Sequence, residues 1–486
     1  MRILFPLMRS RGALVGPVAG SSRRRSADRR PHAGRDQSGG FVLVAVLVVV
    51  LLTSMVAVSL LFRLRAETVA TAATAGTEQA WSAAMSGVEE AIRQVASAAP
   101  GSTEWQDNPR VFKDQFVYED GSDRWYFTVC SPSVDDALRE LRYGLADEAA
   151  KLNVNAAHTT NLLHLPRMTP ALVAALRDFI DLDDIPRPDG AEQEYYDTLP
   201  YPYAVRNARL DSLDELLLVR GFTPALLYGE DANMNWRLDP NEQDGDERFP
   251  PDNNDSRLDL GLHQYLTTVS YDPNQDNDGV PRANLNDPKD RFPGGNWSEA
   301  FTNYVAALHS HQIRLGHVAE LLDARLKVKD ASGRVVEISS GVGKEELPRI
   351  LDLFTASSAP GFEGLLNVNT ASVASLQTVP GIDEALAEAI LSTRRSISPE
   401  HRTTIAWLYQ EGLLDAALFK QIAPFLTARA VQFSCHVVGY GLPSGRYRVL
   451  DVIIDLAGPK PRLAYLRDIT RLGLPFPLES KEAPDA

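Results

Sequence analysis

The stretch GGFVLVAVLVVVLLTSMVAVSLLF, residues 39–62, decides how the rest of the chain can fold. From Phe41 to Phe62 it contains no charged residue, and a helix of that length extends roughly 33 Å, enough to cross the core of a bilayer. Arginines crowd the upstream side, whereas only Arg63 and Arg65 follow closely, so the positive-inside rule predicts a cytoplasmic N-terminus. A signal anchor or a cleaved secretory signal is the alternative, although Phe62 and Arg63 stand where signal peptidase needs small residues.

A helical pattern continues beyond this apolar stretch. Residues 66–98 are rich in alanine and contain no proline, both of which favour a helix. Apolar side chains recur there three, four or seven residues apart, at Val69, Ala73, Ala80, Ala84, Val88, Ala91 and Val95. We therefore predict one helix over 41–98, ended by Pro100 and Gly101.

Charge is distributed unevenly along the 486 residues. The formal net charge is −15, and deducting the nine arginines and two acidic residues of the first 40 positions leaves −22 for the body. An acidic body repels phosphate backbones, which argues against a general nucleic-acid surface. The chain has only two cysteines, Cys130 and Cys435, too few for a disulfide-rich scaffold or a cysteine-built zinc site.

Two strand-rich regions flank a mostly helical middle. Alternating residues at 115–118 and 124–130 predict a hairpin, and 430–440, 447–456 and 461–469 predict further strands. We expect one sheet packed on the long helix and interrupted by an insertion over about 145–430. Cys130 and Cys435 would lie in this sheet, either joined by a disulfide or as two buried free thiols.

The insertion contains an internal repeat. The sequence Leu-Asn-Val-Asn begins at Leu152 and again at Leu366, and at the same offset the match extends through Leu162 and Leu376, Pro166 and Pro380, Ala171 and Ala385, and Ala175 and Ala389. Each copy predicts an Asn-Val-Asn turn followed by a helical hairpin. These hairpins resemble helix-hairpin-helix modules, but Asp383 and Glu384 stand where nucleic-acid-binding versions leave room for a phosphate. We interpret them as packing units.

The N-terminal features together resemble the type IV pilin and pseudopilin superfamily. They are a basic leader, a Gly40–Phe41 junction, an apolar stretch and a long helix. The resemblance implies that prepilin peptidase cuts between Gly40 and Phe41. Most pilins carry a glutamate at the fifth mature position, where this chain has Ala45. A carboxylate in lipid needs a partner, and in the superfamily it is thought to pair with the terminal ammonium of a neighbouring subunit.

Lack of this glutamate is known for the minor pseudopilin K family of type II secretion, which sits at the tip of the pseudopilus. The phrases that resemble that family's own motifs are DEAAKLNVN at 147–155, Gly190-Ala191-Glu192 with Tyr195-Tyr196, and Leu213-Asp214-Glu215-Leu216. The family inserts two SAM-like helical subdomains in a pilin fold. The resemblance implies an α+β fold: a pilin-like long N-terminal helix packed on a small antiparallel sheet, with a large, mostly helical insertion.

This interpretation divides the chain into eight regions. They are a cytoplasmic prepilin leader (1–40), the transmembrane part of the pilin helix (41–62), the periplasmic helix and first strands (63–144), a first SAM-like subdomain (145–230), acidic calcium loops (231–300), a helical or irregular extension (301–364), a second helix-hairpin-helix, SAM-like subdomain (365–429) and the C-terminal strands (430–486).

One constellation has a sharp chemical meaning. Oxygen-bearing side chains occupy positions 1, 3, 5, 9 and 12 of a loop, and a backbone carbonyl is available at position 7, which is the ligand spacing of an EF-hand-type calcium loop. The residues are Asp231, Asn233, Asn235, Asp239 and Glu242, with the carbonyl of Arg237. Trp236 stands at position 6, where such loops use glycine.

Two further acidic stretches could bind calcium in the same way. The first contains Asn253, Asp255 and Asp259, and the second contains Asp272, Asn274, Asp276 and Asp278. The alternative for both is a solvated acidic loop without an ion.

We find no motif for catalysis, whether nucleophile elbow, phosphate loop, histidine metal site or nucleotide fingerprint, and expect no enzyme. The expected function is that of a minor pseudopilin at the tip of the type II secretion pseudopilus, supporting export of folded proteins from the periplasm. It would be a single-pass protein of the bacterial inner membrane. Expected partners are other minor pseudopilins through the N-terminal helix, the secretion channel or cargo, and prepilin peptidase, but no nucleic acid.

Two alternatives belong to other functional classes. A membrane-anchored helix-hairpin-helix receptor for DNA uptake would need a basic surface, which the acidic body does not predict. A calcium-dependent surface adhesin would share the acidic loops but would leave the Gly40–Phe41 junction unexplained.

Overall fold

The computed structural model describes residues 39–478 except 122, 134–140, 246 and 330–332. The predicted leader therefore lies outside the described residues, apart from its last two positions. The chain divides into two compact units, residues 1–71 and 72–486.

Helix α1 spans Gly39–Ser97, in agreement with the single helix predicted over 41–98. Its portion up to Thr71 is the described part of the first compact unit. Every large apolar side chain from Val42 to Phe62 is exposed there. By length and composition, α1 is the one helix among the described residues that could cross a membrane.

The second compact unit contains one sheet built from both ends of the unit. It has seven strands within the described residues, all paired antiparallel: β1 (Gln115–Glu119), β2 (Arg124–Pro132), β3 (Leu141–Arg142), β4 (Ala146–Asp147), β15 (Gln432–Leu442), β16 (Tyr447–Asp455) and β17 (Arg462–Asp468). The main order is β1-β2-β15-β16-β17, with β3 beside β2 and β4 beside β15. The hairpin, the C-terminal strands and the single antiparallel sheet predicted from the sequence are confirmed.

The C-terminal part of α1 packs on this sheet through small side chains. Ala84, Val88, Ala91 and Val95 are buried against strand residues such as Val437, which confirms the helical spacing read from the sequence. Gly439 on β15 shows how close the two elements lie. A β-carbon there would collide with the backbone of Ala80 and Ala84, so only glycine permits this contact.

Between β4 and β15 the chain forms short helices and strands. The helices are α3 (Thr159–Leu163), α4 (Pro170–Ile180), α5 (Gln193–Asp197), α6 (Pro224–Leu227), α7 (Glu299–Ser310), α8 (Leu347–Leu353), α9 (Val373–Leu376), α10 (Glu384–Arg394), α11 (Trp407–Gln410) and α12 (Ala416–Ile422). A short helix α2 (Pro109–Phe112) precedes the sheet.

The strands of the insertion form small pairs. They are β5 (Leu152–Asn153), β6 (Leu266–Thr267), β7 (Tyr271–Pro273), β8 (Ala283–Asn284), β9 (Arg325–Lys329), β10 (Val335–Ser339), β11 (Phe354–Thr355), β12 (Gly361–Glu363), β13 (Leu366–Asn367) and β14 (Leu426–Thr427). The antiparallel pair of β9 and β10 lies in the region expected to be helical or irregular.

The repeat found in the sequence has a clear structural counterpart. Helices α9 and α10 follow α3 and α4 at the offset that separates Leu152 from Leu366, as the sequence match predicts. In both copies the first strand pairs in parallel with a strand that ends in threonine, β5 with β6 and β13 with β14. The second asparagine of each copy, Asn155 or Asn369, donates to two backbone carbonyls. These hydrogen bonds hold the turn of each copy against later segments of the same copy.

The structure contains a third copy that the sequence analysis missed. Asn284 and Asn286 repeat the Asn-x-Asn turn, and β8 pairs in parallel with β11, which again ends in threonine. Asn286 donates to the carbonyls of Leu315 and Ala356. We name the three copies the first (152–268), middle (283–356) and last (366–428) Asn repeats. The middle repeat shares one hydrophobic core with the last, whereas the first has its own.

Two acidic residues connect the repeats to the sheet at the end of β4. Asp147 accepts hydrogen bonds from Asn367 Nδ2 (2.7 Å) and Thr370 Oγ1 (2.6 Å) of the last repeat. Glu148 accepts from Thr267 Oγ1 of the first repeat and from Ser434 Oγ on β15, each at 2.5 Å. These buried contacts fix both repeats to the sheet.

The two cysteines lie on neighbouring strands but do not form the disulfide considered from the sequence. Both are buried free thiols. Cys130 is the cross-strand partner of His436, so the adjacent residue Cys435 points to the opposite face of the sheet. The register therefore keeps the sulfur atoms apart.

Candidate functional sites

The predicted processing site lies at the start of α1. Gly40 and Phe41 belong to the first turn of the helix, and their side chains lie outside the described residues. Ala45 follows one turn later and is exposed among exposed valines and leucines. The fifth mature position would thus be a small apolar side chain on an apolar helix surface, with no charge available for pairing.

The predicted EF-hand-type loop closes around its first residue. Asp231 accepts hydrogen bonds through Oδ1 from the backbone N–H of Asn235 (3.0 Å) and through Oδ2 from that of Trp236 (3.0 Å). The side-chain amides of Asn233 and Asn235 both donate to Asp239 Oδ2, at 2.9 and 2.8 Å. The structure therefore brings together four of the predicted ligand residues.

The remaining predicted ligands lie close by. Glu242 Oε2 accepts from the backbone N–H of Asp239 (2.9 Å), and Arg237 follows the turn with its N–H donating to Asn235 Oδ1 (2.8 Å). Asp231 and Glu242 are 2% and 1% exposed, and Glu242 Oε1 is buried without a hydrogen-bond partner.

The electrostatics of the loop suit a cation. Burial, followed by the nearby carboxylate of Glu242, raises the pKa of Asp231 to about 7. Burial likewise raises the pKa of Glu242. The two buried carboxylates repel each other, and one of their oxygens has no partner, so a cation would stabilise them. All the predicted ligand atoms are oxygens, which calcium prefers, and the residues present therefore fit this ion.

Trp236 explains how the loop tolerates a residue other than glycine at position 6. Its backbone adopts a left-handed conformation with φ of 59°, as the tight turn requires. Its ring stacks on His436 of β15 with centroids 3.5 Å apart and planes 9° from parallel. Burial lowers the pKa of His436 to about 3, so the stacked imidazole is neutral at ordinary pH. The tryptophan attaches the loop to the sheet.

The second acidic stretch is organised by protein groups. Glu230, which the sequence analysis did not identify, accepts from the backbone N–H of both Asn253 and Asp259, each at 3.1 Å. Asp259 forms an ion pair with Arg167 at 2.5 Å. Asn253 and Asp255 are exposed at the tip of the loop. The predicted ligands of this stretch are not brought together around one point.

The third stretch joins the first and last Asn repeats. Asp272 accepts from Thr427 Oγ1 (2.5 Å) and lies 3.6 Å from the guanidinium of Arg429. Asn274 donates to the carbonyls of Ser357 and Ala359, and Asp276 Oδ1 accepts from the backbone N–H of Asp278 and Val280. Threonine, arginine and backbone groups partner part of each of these side chains, whereas Oδ1 of Asp272 and Oδ1 of Asn274 are buried without a hydrogen-bond partner.

In the helical hairpins, side chains of the protein cap the backbone amides that could otherwise bind a phosphate. Asp383 is the N-cap of α10, and its Oδ1 accepts from the backbone N–H of Leu386 at 2.8 Å. In the first repeat, Thr169 caps α4 through the N–H of Leu172. Side chains therefore satisfy amides that nucleic-acid-binding hairpins offer to the phosphate backbone.

Comparison with known families identifies two segments of the chain. Residues 140–228 match the family model for type II secretion system protein K, and residues 362–427 match the model for the helix-hairpin-helix motif. The first match covers α3 to α6, and the second covers the last Asn repeat. The resemblance to the protein K family predicted from the sequence is confirmed, and the resemblance to helix-hairpin-helix modules is confirmed for residues 362–427.

The matches to individual proteins are short or have low sequence identity. The chain is 39% identical over 69 residues to the type II secretion system protein K of Pectobacterium carotovorum subsp. carotovorum, a stretch that spans 14% of this chain and only 19% of that relative. Among solved structures, the GspK-GspI-GspJ complex of the type 2 secretion system of enterotoxigenic Escherichia coli has a chain that is 13% identical, with a TM-score of 0.38 and coverage of 84% of this chain and 99% of that one.

Proposed function

We propose that this chain belongs to the family of type II secretion system protein K, and that it is a minor pseudopilin at the tip of the pseudopilus and supports export of folded proteins from the periplasm. It works by assembly with other subunits rather than by catalysis. The observation that carries the proposal is the position of the protein K segment: residues 140–228 contain two short strands of the sheet that packs on the long N-terminal helix and continue into the insertion.

The N-terminal helix supports a place in the inner membrane. Its exposed surface from Val42 to Phe62 carries no charge and is apolar except at Thr53, Ser54 and Ser59, and nine arginines lie upstream of it. We propose that the N-terminus is cytoplasmic, that prepilin peptidase cuts between Gly40 and Phe41, and that the bulk is periplasmic. The same helix surface is where other minor pseudopilins would pack.

Ala45 and the insertion together support a position at the tip. Without a carboxylate at position 45, the helix cannot pair with the terminal ammonium of a neighbouring subunit. The three Asn repeats add a large body beside the sheet, which would obstruct another subunit above it and could contact the secretion channel or cargo. We propose that the first and last repeats are the SAM-like subdomains of the protein K family.

Calcium is the proposed ion of the loop from Asp231 to Glu242. The support is its donor set of oxygen atoms, the buried and unpartnered Oε1 of Glu242, and the convergence on Asp239. By holding the loop, calcium would strengthen its attachment to the sheet through Trp236. Calcium binding by the stretches at 253–259 and 272–278 stays a prediction, since protein groups partner most of their carboxylates.

A DNA receptor is the second candidate because residues 362–427 match the helix-hairpin-helix motif. The capping contacts of Asp383 and Thr169 weigh against it, as does the net charge of −15. The two functions predict opposite phenotypes for loss of the chain. A pseudopilin mutant should retain folded secretion substrates in the periplasm, whereas a receptor mutant should secrete normally and fail to take up DNA.

The tip position has its own test. Ala45→Glu restores the carboxylate that lets a pilin subunit pair with its neighbour, and Ala45→Gln is the uncharged control of similar size. We expect the glutamate variant to be incorporated in more copies per purified pseudopilus than the wild type or the control. An unchanged copy number with glutamate would contradict the role given to Ala45.

A further inference from the structure

A cavity of about 210 Å³ lies between the middle and last Asn repeats. Much of its wall is apolar, and both repeats contribute buried side chains to it: Val318, Leu351 and Phe354 from the middle repeat, and Ile405 and Leu426 from the last. These side chains belong to the hydrophobic core that the two repeats share. The cavity therefore offers apolar contacts at the junction of the two repeats.

Arg282, just before β8, brings a positive charge to this cavity. Its Nε donates to the backbone carbonyl of Asp352 at 2.9 Å, and its side chain forms no other hydrogen bond and no ion pair within the part of the chain that the structure describes. Burial lowers the pKa of Arg282, because the guanidinium loses hydration. A charge that is withdrawn from water without a contacting counter-charge is costly, and an anion beside Arg282 would remove this cost.

A second arginine and one carboxylate also line the cavity. Arg429 Nη1 lies 3.6 Å from Oδ1 of Asp272. The lining groups therefore carry one positive charge in excess, two guanidinium groups against one carboxylate. Asp276 and Asp352 also act on Arg282, but they do not line the cavity, and both accept hydrogen bonds from backbone N–H groups. A monovalent anion would balance the excess charge.

His317 adds a neutral hydrogen-bond donor to the same cavity. Its Nδ1 accepts from the backbone N–H of Ala319 at 3.1 Å, so the proton of the neutral ring lies on Nε2. Burial, followed by the charge of Arg282, lowers the pKa of His317 to about 4, and the ring is therefore neutral at ordinary pH. Its Nε2 has no hydrogen-bond partner among the described residues.

We propose that this cavity binds a carboxylate group joined to a small apolar group. The guanidinium of Arg282 pairs with the carboxylate through its planar N–H donors, and the apolar wall contacts the rest of the ligand. At about 210 Å³ the cavity is smaller than the roughly 300–1,000 Å³ of typical ligand sites, so its occupant has about the size of one amino-acid residue. The C-terminal residue of a polypeptide and a free short-chain carboxylic acid share this chemistry.

The test is calorimetric titration of the full chain in detergent, with chelator present so that metal ions do not contribute. The probes are the peptide acetyl-Gly-Ser-Gly-Leu with a free C-terminal carboxylate, the same peptide with a C-terminal amide, and isocaproate, which carries the leucine side chain on a free acid. Each probe is also titrated into detergent alone, and that heat is subtracted. We expect the peptide acid to bind roughly tenfold to a hundredfold more tightly than the amide, because only the acid makes charge-assisted hydrogen bonds.

Two variants test the role of Arg282. Arg282→Gln removes the charge, and Arg314→Gln is the matched control at an exposed arginine of the same repeat. We expect Arg282→Gln to weaken binding of the peptide acid roughly tenfold or more and Arg314→Gln to leave it unchanged. Equal affinities for the peptide acid and the amide, no binding of either acid, or equal affinities of the two variants would overturn the proposal.

A second variant covers the case in which Arg282→Gln does not fold. Ala356→Leu narrows the cavity and leaves both arginines in place, so it should weaken binding of the acids, and unchanged binding would overturn the proposal. Tighter binding of the peptide acid than of isocaproate assigns the site to the end of a polypeptide, whereas equal or tighter binding of isocaproate assigns it to a free acid. Neither result depends on the place of the chain in the pseudopilus, because binding is measured on the purified protein.

Discussion

The substitution Trp236→Gly sets two effects of known size against each other. Glycine is the usual residue at this position of an EF-hand-type loop, and it would remove the strain of a left-handed tryptophan with φ of 59°. That relief is worth roughly 1–2 kcal/mol. The side chain, however, is only 9% exposed and stacks on His436 at 3.5 Å.

Loss of the ring is the larger effect. Truncating a buried aromatic side chain costs roughly 3–5 kcal/mol, including the cavity that remains. The free energy of unfolding should therefore fall by about 1–4 kcal/mol, with or without calcium. The N–H of residue 236 still donates to Asp231 in the variant, so the calcium affinity of the loop should change by less than about tenfold.

The assay is urea unfolding of the full chain in detergent, followed by circular dichroism, together with calorimetric calcium titration. Trp236→Phe is the matched control, because it keeps an aromatic ring on His436 and the same backbone strain. It should lose clearly less stability than the glycine variant. If Trp236→Gly is as stable as the wild type, the loop is not attached to the sheet through this stack.

Three further predictions follow from particular contacts. Gly439→Ala should cost roughly 1–3 kcal/mol of stability and lower the midpoint of thermal unfolding, because the added β-carbon meets the backbone of α1. The control Gly458→Ala, whose β-carbon makes only an ordinary contact, should leave the midpoint unchanged. Equal midpoints for the two variants would contradict the close packing of Gly439 on α1. In the presence of chelator, Asp231→Asn should gain stability relative to the wild type as the pH rises from about 4 to 7. The raised pKa of Asp231 makes the folded wild type bind more protons than the unfolded chain, so the wild type loses stability over this range. Urea unfolding measures the difference, and the same experiment with calcium should show no such gain. Asp383→Ala should cost about 1 kcal/mol through loss of the cap of α10 and should still give no shift of DNA in a low-salt gel, where a clear shift would favour the receptor.

Much of the fold could be predicted because its determinants are local. The apolar run and the alanine spacing specify α1, and alternation specifies the hairpin of β1 and β2 and the C-terminal strands. The constant offset between the two Leu-Asn-Val-Asn copies locates α9 and α10 from α3 and α4. Each of these signals lies within a short segment or in a direct comparison of two segments.

The middle Asn repeat was missed because its signal is shorter. Asn284-Leu285-Asn286 carries the turn, but the helices that follow do not keep the spacing of the other two copies. The closing threonine, Thr355, lies far along the chain from the turn, and its strand's pairing with Ala283 and Asn284 exists only in three dimensions. A search for Asn-x-Asn alone would have found the turn.

The candidate sites were predictable to different degrees. Spacing in one loop placed Asp231 to Glu242 together, since all the ligands come from a single short run of the chain. The same kind of spacing could not reveal the ion partners of Asp259 and Asp272, because Arg167 and Arg429 are distant from them in sequence. Stacking of Trp236 on His436 and the cavity beside Arg282 also depend on tertiary contacts that no local pattern reveals.

The measurement that tests the central claim most directly is the N-terminal sequence of the protein extracted from membranes of its own cells. The account predicts a chain that starts at Phe41, and a chain that starts at Met1 when prepilin peptidase is absent. A start at Met1 in normal cells, or a start beyond Phe62 that does not depend on the peptidase, would contradict the assignment as a pseudopilin.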